Sequence, residues 1–114
     1  MHEYTLAENI VDTIRVQATP RLEQVQQISL DVGRFAGVVA DSLKFGLQVI
    51  FRESGNREPD VEITEVPALA RCECGTEYEI QDLLENCPNC HSYNRKIRSG
   101  TDVILRSVEV DESR

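Results

Sequence analysis

At 114 residues and a formal charge of −8, the chain is long enough for one ordinary domain, or for a small domain with a metal-tied lobe attached. So acidic a chain argues against nucleic acid, because a reader of phosphate needs a basic face, and favours a basic protein or a cation as partner. No run approaches the ~20 apolar residues of a membrane span, and the amino terminus lacks the basic-then-apolar layout of a secretory signal.

Thr5-Leu6-Ala7-Glu8 is a capping-box pattern, with Thr5 as the cap and Glu8 reaching back. Leu6, Ile10, Val11 and Ile14 follow at helical spacing, and the helix should stop before Pro20, since the residue preceding proline avoids helical geometry. On this reading Met1 to Glu3 lie outside the helix, mobile and exposed. Gln24 to Gly33 predicts a strand, with Ile28, Leu30 and Val32 on one face and Gln27, Ser29 and Asp31 on the other. A second helix over about Ala40 to Phe51 carries Val39, Leu43, Leu47 and Ile50 on one stripe, and Ser54-Gly55-Asn56 stops it.

Asp60 to Val66 predicts a second strand with Val61 and Ile63 inward. A cysteine-bearing lobe from about Leu69 to Lys96 follows, with a short strand over Thr76 to Ile80. Asp102 to Val110 predicts a third core strand. Its apolar residues fall on both faces (Val103 and Leu105 against Ile104, Val108 and Val110), which fits a strand covered on both sides at its start. Asp111 to Arg114 is a polar tail expected to fray. The strand–helix–strand unit favours a parallel right-handed crossover. The expected architecture is therefore α+β. A small two-helix, three-stranded mixed-sheet α/β lobe (1–68 plus 98–114) carries an inserted zinc-ribbon-like lobe (69–97).

All four cysteines lie in two tight pairs inside nineteen residues, Cys72-Glu73-Cys74-Gly75 and Cys87-Pro88-Asn89-Cys90. Two short loops with two thiolates each can supply the four soft ligands of a tetrahedral metal. The adjoining glycine and proline suit tight turns that aim backbone amides at sulfur. The alternatives are two disulfides or two unrelated cysteine pairs. The first pair is C-x-C, a narrower bite than C-x2-C, and His91 beside Cys90 is the available substitute ligand. A lobe of this size cannot bury enough core to fold alone, whereas structural zinc supplies roughly 10–16 kcal/mol at neutral pH. Cysteines kept as metal ligands without an export signal point to the reducing cytoplasm.

Nothing in the sequence defends a catalytic Ser/His/Asp or Cys/His arrangement, and the only histidines are His2 and His91. Met1-His2-Glu3 offers something else. The Met1 amine, the amides of residues 2 and 3 and the His2 ring close adjacent chelate rings into a flat four-nitrogen set. Such tetragonal sites favour Ni(II) or Cu(II) over zinc. The amine and the imidazole titrate ordinarily near ~7.8 and ~6.5, so uptake there should release protons near neutrality.

Met1-His2-Glu3-Tyr4-Thr5-Leu6-Ala7-Glu8, Asp31-Val32-Gly33, Glu65-Val66-Pro67-Ala68, the two cysteine pairs and Leu105-Arg106-Ser107-Val108-Glu109-Val110 together resemble the HypA/HybF family of hydrogenase nickel-incorporation accessory proteins. The resemblance spans essentially the whole chain. It implies a metallochaperone and not an enzyme: labile Ni(II) at the amino terminus, structural Zn(II) in the cysteine lobe, and delivery of nickel with a partner GTPase to the [NiFe]-hydrogenase large subunit. Some relatives also serve urease. Carried over, His2 is the nickel ligand, the Met1 amine and the Glu3 amide complete its shell, and Cys72, Cys74, Cys87 and Cys90 take the zinc. The expected state is a monomer or weak homodimer in the cytoplasm, away from nucleic acid and membrane.

There are departures from the family pattern. Arg71 stands where the outer cysteine of a C-x2-C pair would fall, Val39 aligns with an acid found near the nickel in some relatives, and Asp41 is the nearest acid. The alternative class is a zinc-ribbon adaptor without a nickel role. Electron transfer through a rubredoxin-like iron is disfavoured by the narrow C-x-C bite and the missing aromatic core.

Overall fold

The structure, a computed structural model, describes residues 3–113. Its elements are α1 (Glu3–Gln17), a 3-10 turn (Leu22–Gln24), β1 (Val25–Gly33), α2 (Ala40–Glu53), β2 (Asp60–Val66), β3 (Ala68–Cys72), β4 (Glu77–Ile80), β5 (Arg95–Ser99) and β6 (Val103–Val110). Two three-stranded sheets result, in the orders β2-β1-β6 and β4-β3-β5. The molecule is elongated, 57 × 23 × 19 Å.

The first sheet and both helices share one core. β1 is central, parallel to β2 (Ile28↔Val61, Leu30↔Ile63) and antiparallel to β6, so the sheet is mixed as expected. Ile28, Leu30 and Val32 are buried on the face that meets Ala7, Ile10, Val11 and Ile14 of α1 and Leu43, Leu47 and Phe51 of α2. Fully burying one such large apolar side chain contributes about 1.5–3 kcal/mol. The helices cross closely at Gly46, where a Cβ would lie 3.3 Å from that of Ala7.

Four expectations are corrected here. The first helix begins at Glu3, so Thr5 is an exposed residue of its first turns and not its cap, and Glu3 is not outside the helix. An acid in the first turn is favoured by the helix dipole, and the Glu3 carboxylate gains a tertiary partner besides: Oε2 accepts the Val39 N–H at 3.0 Å. Met1 and His2 fall outside the described residues. Second, Val39 is the N-cap of α2 and 59% exposed, and the buried stripe is completed by Gly46 and Phe51.

Third, β6 is not covered on both sides. Its register against β1 jumps from Ser29↔Ser107 to Leu30↔Leu105. The extra residue, Arg106, forms a bulge that re-phases the strand and brings Val103, Leu105 and Val108 to the core, leaving Ile104 exposed. Fourth, the polar tail is tied at Asp111, whose N–H donates to the Gln24 carbonyl at 2.7 Å and whose Oδ2 accepts the Gln26 amide at 3.1 Å.

The second sheet is smaller and wholly antiparallel. Ala68, Ala70 and Ile80 form its apolar centre, and Phe35, from the loop after β1, packs against them. The sheets meet without a linker. Gly33 N–H donates to Asp102 O, Phe35 N–H to Gly100 O and Arg34 N–H to Val66 O, all within 2.8–2.9 Å. A Cβ on Gly33 would come within 2.3 Å of the Gly100 carbonyl, and one on Gly100 (φ +86°) within 2.6 Å of Ala68 Cα. Arg34 clasps the crossing, pairing with Glu65 at 2.8 Å and donating to Gln81 O at 3.0 Å.

Candidate metal centre

Cys72 ends β3, and the chain reverses at once. The Gly75 N–H donates to Cys72 O and the Cys72 N–H to Thr76 O, both at 2.9 Å, with Gly75 at φ +93°. That tight turn curls Cys74 back beside Cys72, which is how a C-x-C pair delivers both sulfurs. The second pair is folded by bonds from Cys87 N–H to Ser92 O (3.0 Å) and from His91 N–H to Cys87 O (2.9 Å).

All four Sγ atoms lie within 4.8 Å of one another. Cys72 and Cys90 are 3.3 Å apart and Cys74 and Cys87 3.7 Å. A tetrahedral zinc with ~2.3 Å bonds to sulfur would space its ligands about 3.8 Å apart, so the cluster is close to the required size. A disulfide would need about 2.05 Å, and all four thiols are free. His91 is exposed, at φ +63°, and is not among the residues whose ligand atoms group with the sulfurs.

Amides are aimed at the sulfurs, as the turn residues led one to expect. The Asn89 N–H donates to Cys87 Sγ at 3.4 Å, and the Asn89 side-chain amide points at Cys74 Sγ at 3.8 Å. The Thr76 hydroxyl, 3.2 Å from Cys74 Sγ, and then the Thr76 amide lower the Cys74 thiol to about 6. The Cys74 amide pulls the Cys72 thiol down, but burial and the neighbouring sulfurs, Cys90 first, together push it up to about 12. Burial opposes ionisation of Cys87, yet the amides of Cys90 and Asn89 leave it lowered. One sulfur of the cluster ionises easily and another resists, because four thiolates this close repel. A divalent cation removes that conflict, and the soft donor set fits zinc.

The sequence-derived nickel ligands fare differently. Met1 and His2 lie outside the described residues, while Glu3 stands half-buried in the first turn of α1, bonded to Val39 as above. Asp41 is exposed in the first turn of α2. Sequence reasoning places Val39 on the helix stripe and beside the expected nickel site, but misses the bond from its backbone N–H to Glu3; a contact spanning thirty-six positions leaves no local signal. No described helix is long and apolar enough to cross a membrane.

Fold and centre define the class: a small α+β protein carrying a four-cysteine site able to hold a metal ion such as zinc. The chain belongs to the HypA family, described as hydrogenase/urease nickel incorporation metallochaperones, whose family model matches residues 1–110. Its members are accessory factors in hydrogenase maturation, not enzymes. The hydrogenase maturation factor HypA of Beijerinckia indica is 35% identical over 112 residues, covering 96% of this chain and 99% of that protein. The HypA of Azotobacter chroococcum is 33% identical over 113 residues, covering 97% and 100%. In fold the chain is similar to the solution structure of the nickel metallochaperone HypA from Helicobacter pylori, with TM-score 0.66 and 17% identity over 97% of this chain and 98% of that one.

Proposed function

We propose that the protein is a nickel metallochaperone that binds Ni(II) through the Met1 amine, the His2 amide and ring, and the Glu3 amide. It hands the ion, with a partner GTPase, to the [NiFe]-hydrogenase large subunit in the cytoplasm. The lobes that the sequence divides at 1–68 plus 98–114 and 69–97 are redrawn by the strands, because β3 and β5 carry the small sheet over Ala68–Cys72 and Arg95–Ser99. The nickel lobe is then about 1–67 plus 100–114, and the zinc lobe, about 68–99, holds Zn(II) through Cys72, Cys74, Cys87 and Cys90, where the metal supplies folding free energy and no chemistry. Family membership and the Met1-His2-Glu3 opening support this reading.

One structural observation carries it: Glu3 is anchored by its carboxylate to the start of α2, 3.0 Å from the Val39 N–H. That bond holds the peptide of residue 3 in a helix's first turn, where backbone amides stand outside the intrahelical ladder. Labile cargo suits such a position, because a partner can displace nitrogen ligands one at a time, whereas a closed tetrathiolate retains its ion. Untagged protein should bind one Ni(II) with a planar, diamagnetic spectrum. His2→Ala, or an uncleaved amino-terminal tag, should abolish that spectrum and leave zinc in place. Unchanged nickel affinity in both variants refutes the site and leaves the zinc-ribbon adaptor.

A further inference from the structure

Four of the chain's 12 basic residues, Arg71, Arg95, Lys96 and Arg98, line one cleft of about 490 Å³ beside the cysteine cluster. That volume is within the ~300–1,000 Å³ range of binding clefts. The elements explain the gathering. Arg71 of β3 is in register with Lys96 of β5. Arg98 is the extra residue where the register jumps from Leu69↔Ser99 to Ala70↔Ile97, and such a bulge re-aims a side chain. Arg71, Lys96 and Arg98 are all exposed.

Clustering, and not lack of partners alone, separates this group from ordinary surface charge, since Lys44 and Arg57 are likewise without an ion pair among the described residues. Arg15, Arg34, Arg52 and Arg106 each pair with a carboxylate. The side chains of Arg71, Lys96 and Arg98 have neither an ion pair nor a hydrogen bond among the described residues, in a chain whose net charge is −8. Arg95 serves the lobe itself, donating to the carbonyls of Tyr93 and Leu83. The one carboxylate in the lining, Glu73, is turned to Ser92 Oγ (3.3 Å) and Asn94 Nδ2 (3.4 Å). Four cations thus share the cleft with one carboxylate of its lining, while Glu77 lies opposite Arg71 on the neighbouring strand, a local excess of positive side chains in a chain of the opposite net sign.

We propose that this cleft is a docking groove for an extended, carboxylate-rich segment of a protein partner. A long polyanion such as nucleic acid would meet the repulsion of a molecule carrying −8 overall, whereas a short acidic segment need engage only the groove. β5 is an edge strand, but its bulge interrupts regular pairing, so recognition rests on side-chain charge and not on an added strand. Binding is therefore salt-sensitive, and independent of the nickel reading.

The test uses the zinc-loaded full chain and a fluorescein-labelled peptide of alternating glutamate and valine, read by anisotropy. Saturable binding is expected, weakened at least about tenfold on going from ~0.05 to ~0.5 M salt. A Lys96→Glu/Arg98→Glu double variant should abolish it, and Arg71→Gln should weaken it severalfold, both with zinc content unchanged. Arg57→Glu, at an exposed site remote in sequence from the cleft, should leave binding unaltered. Equal binding by the double variant overturns the assignment, as does no binding at low salt. Tighter binding of oligothymidine, or full competition by inorganic phosphate at equal charge, also overturns it in favour of a nucleic-acid face or a simple anion site.

Discussion

The two sheets are stabilised by different means. Around β1 the core contains seven large apolar side chains with almost no exposure: Val11, Ile14, Ile28, Leu30, Leu43, Leu47 and Phe51. The sheet of β3, β4 and β5 has one, Ile80, with Ala68, Ala70 and Phe35 for company, and beside it four sulfurs drawn together. At about 1.5–3 kcal/mol per large buried side chain, the first region can fold on hydrophobic burial. The second cannot offset the ordering of its loops in that way. A bound structural zinc, worth roughly 10–16 kcal/mol at neutral pH, adds to what its small apolar centre supplies.

That difference can be broken from the metal side first. Cys87→Ser, or a strong chelator, should remove the metal and with it up to the ~10 kcal/mol scale of free energy a structural zinc supplies. Amide exchange should become fast in Ala68–Cys72, Glu77–Ile80 and Arg95–Ser99, while the helices keep their circular dichroism. Continued protection of the small sheet without metal would show that its apolar centre suffices. The mirror experiment is Leu47→Ala, which empties a fully buried position and should lower global stability by about 2–5 kcal/mol in chemical denaturation, with zinc content unchanged.

The junction should respond in both regions at once. Gly100→Ala adds a Cβ at φ +86° within 2.6 Å of Ala68 Cα, so a loss of about 1–3 kcal/mol or more is expected. Exchange should quicken in β3 and β6 together; an effect confined to one sheet would mean that the crossing transmits nothing. Acid sharpens the distinction further. Zinc needs thiolates, and the Cys72 and Cys90 thiols are raised, by burial first and then by sulfur neighbours (Cys74 and Cys87 in the case of Cys90), so they are protonated at neutral pH without metal. Uptake displaces those protons. Apparent zinc affinity should therefore rise with pH, about tenfold per unit for each proton displaced, and fall in acid, as competition with a chromogenic chelator will read. The smallest effect is Glu3→Gln, which weakens a charged acceptor on the Val39 N–H. It should cost about 1 kcal/mol, and nickel exchange should quicken if that anchor steadies the terminal site.

Much of the larger sheet was legible because burial imposes a period. Ile28, Leu30 and Val32 alternate as a half-buried strand must, and Asp60–Val66 appears with the bounds that its apolar pattern and Pro67 predict. The cysteine pairs were legible for a chemical reason: few arrangements other than a shared cation bring four thiols to such spacing. β3 and β5 were not. Ala68 and Ala70 are too small to mark a face, and Arg95-Lys96-Ile97-Arg98-Ser99 carries too much charge to suggest a strand. The bulge at Arg106 was hidden as well, since register is a property of two strands and not of one.

Local chemistry was therefore decided by sequence alone: the family, the two helices and central strand, the thiolate donor set, and the candidacy of Met1-His2-Glu3. These depend on residue type at short spacing, where periodicity and chelate-ring size act directly. Tertiary structure decided the rest. It turned the narrow C-x-C bite into a full partner in the cluster, started α1 at Glu3 against Val39, locked Gly33 onto Gly100, and gathered Arg71, Lys96 and Arg98 in one cleft. Each of those outcomes joins residues distant along the chain, and only the folded packing sets their separation.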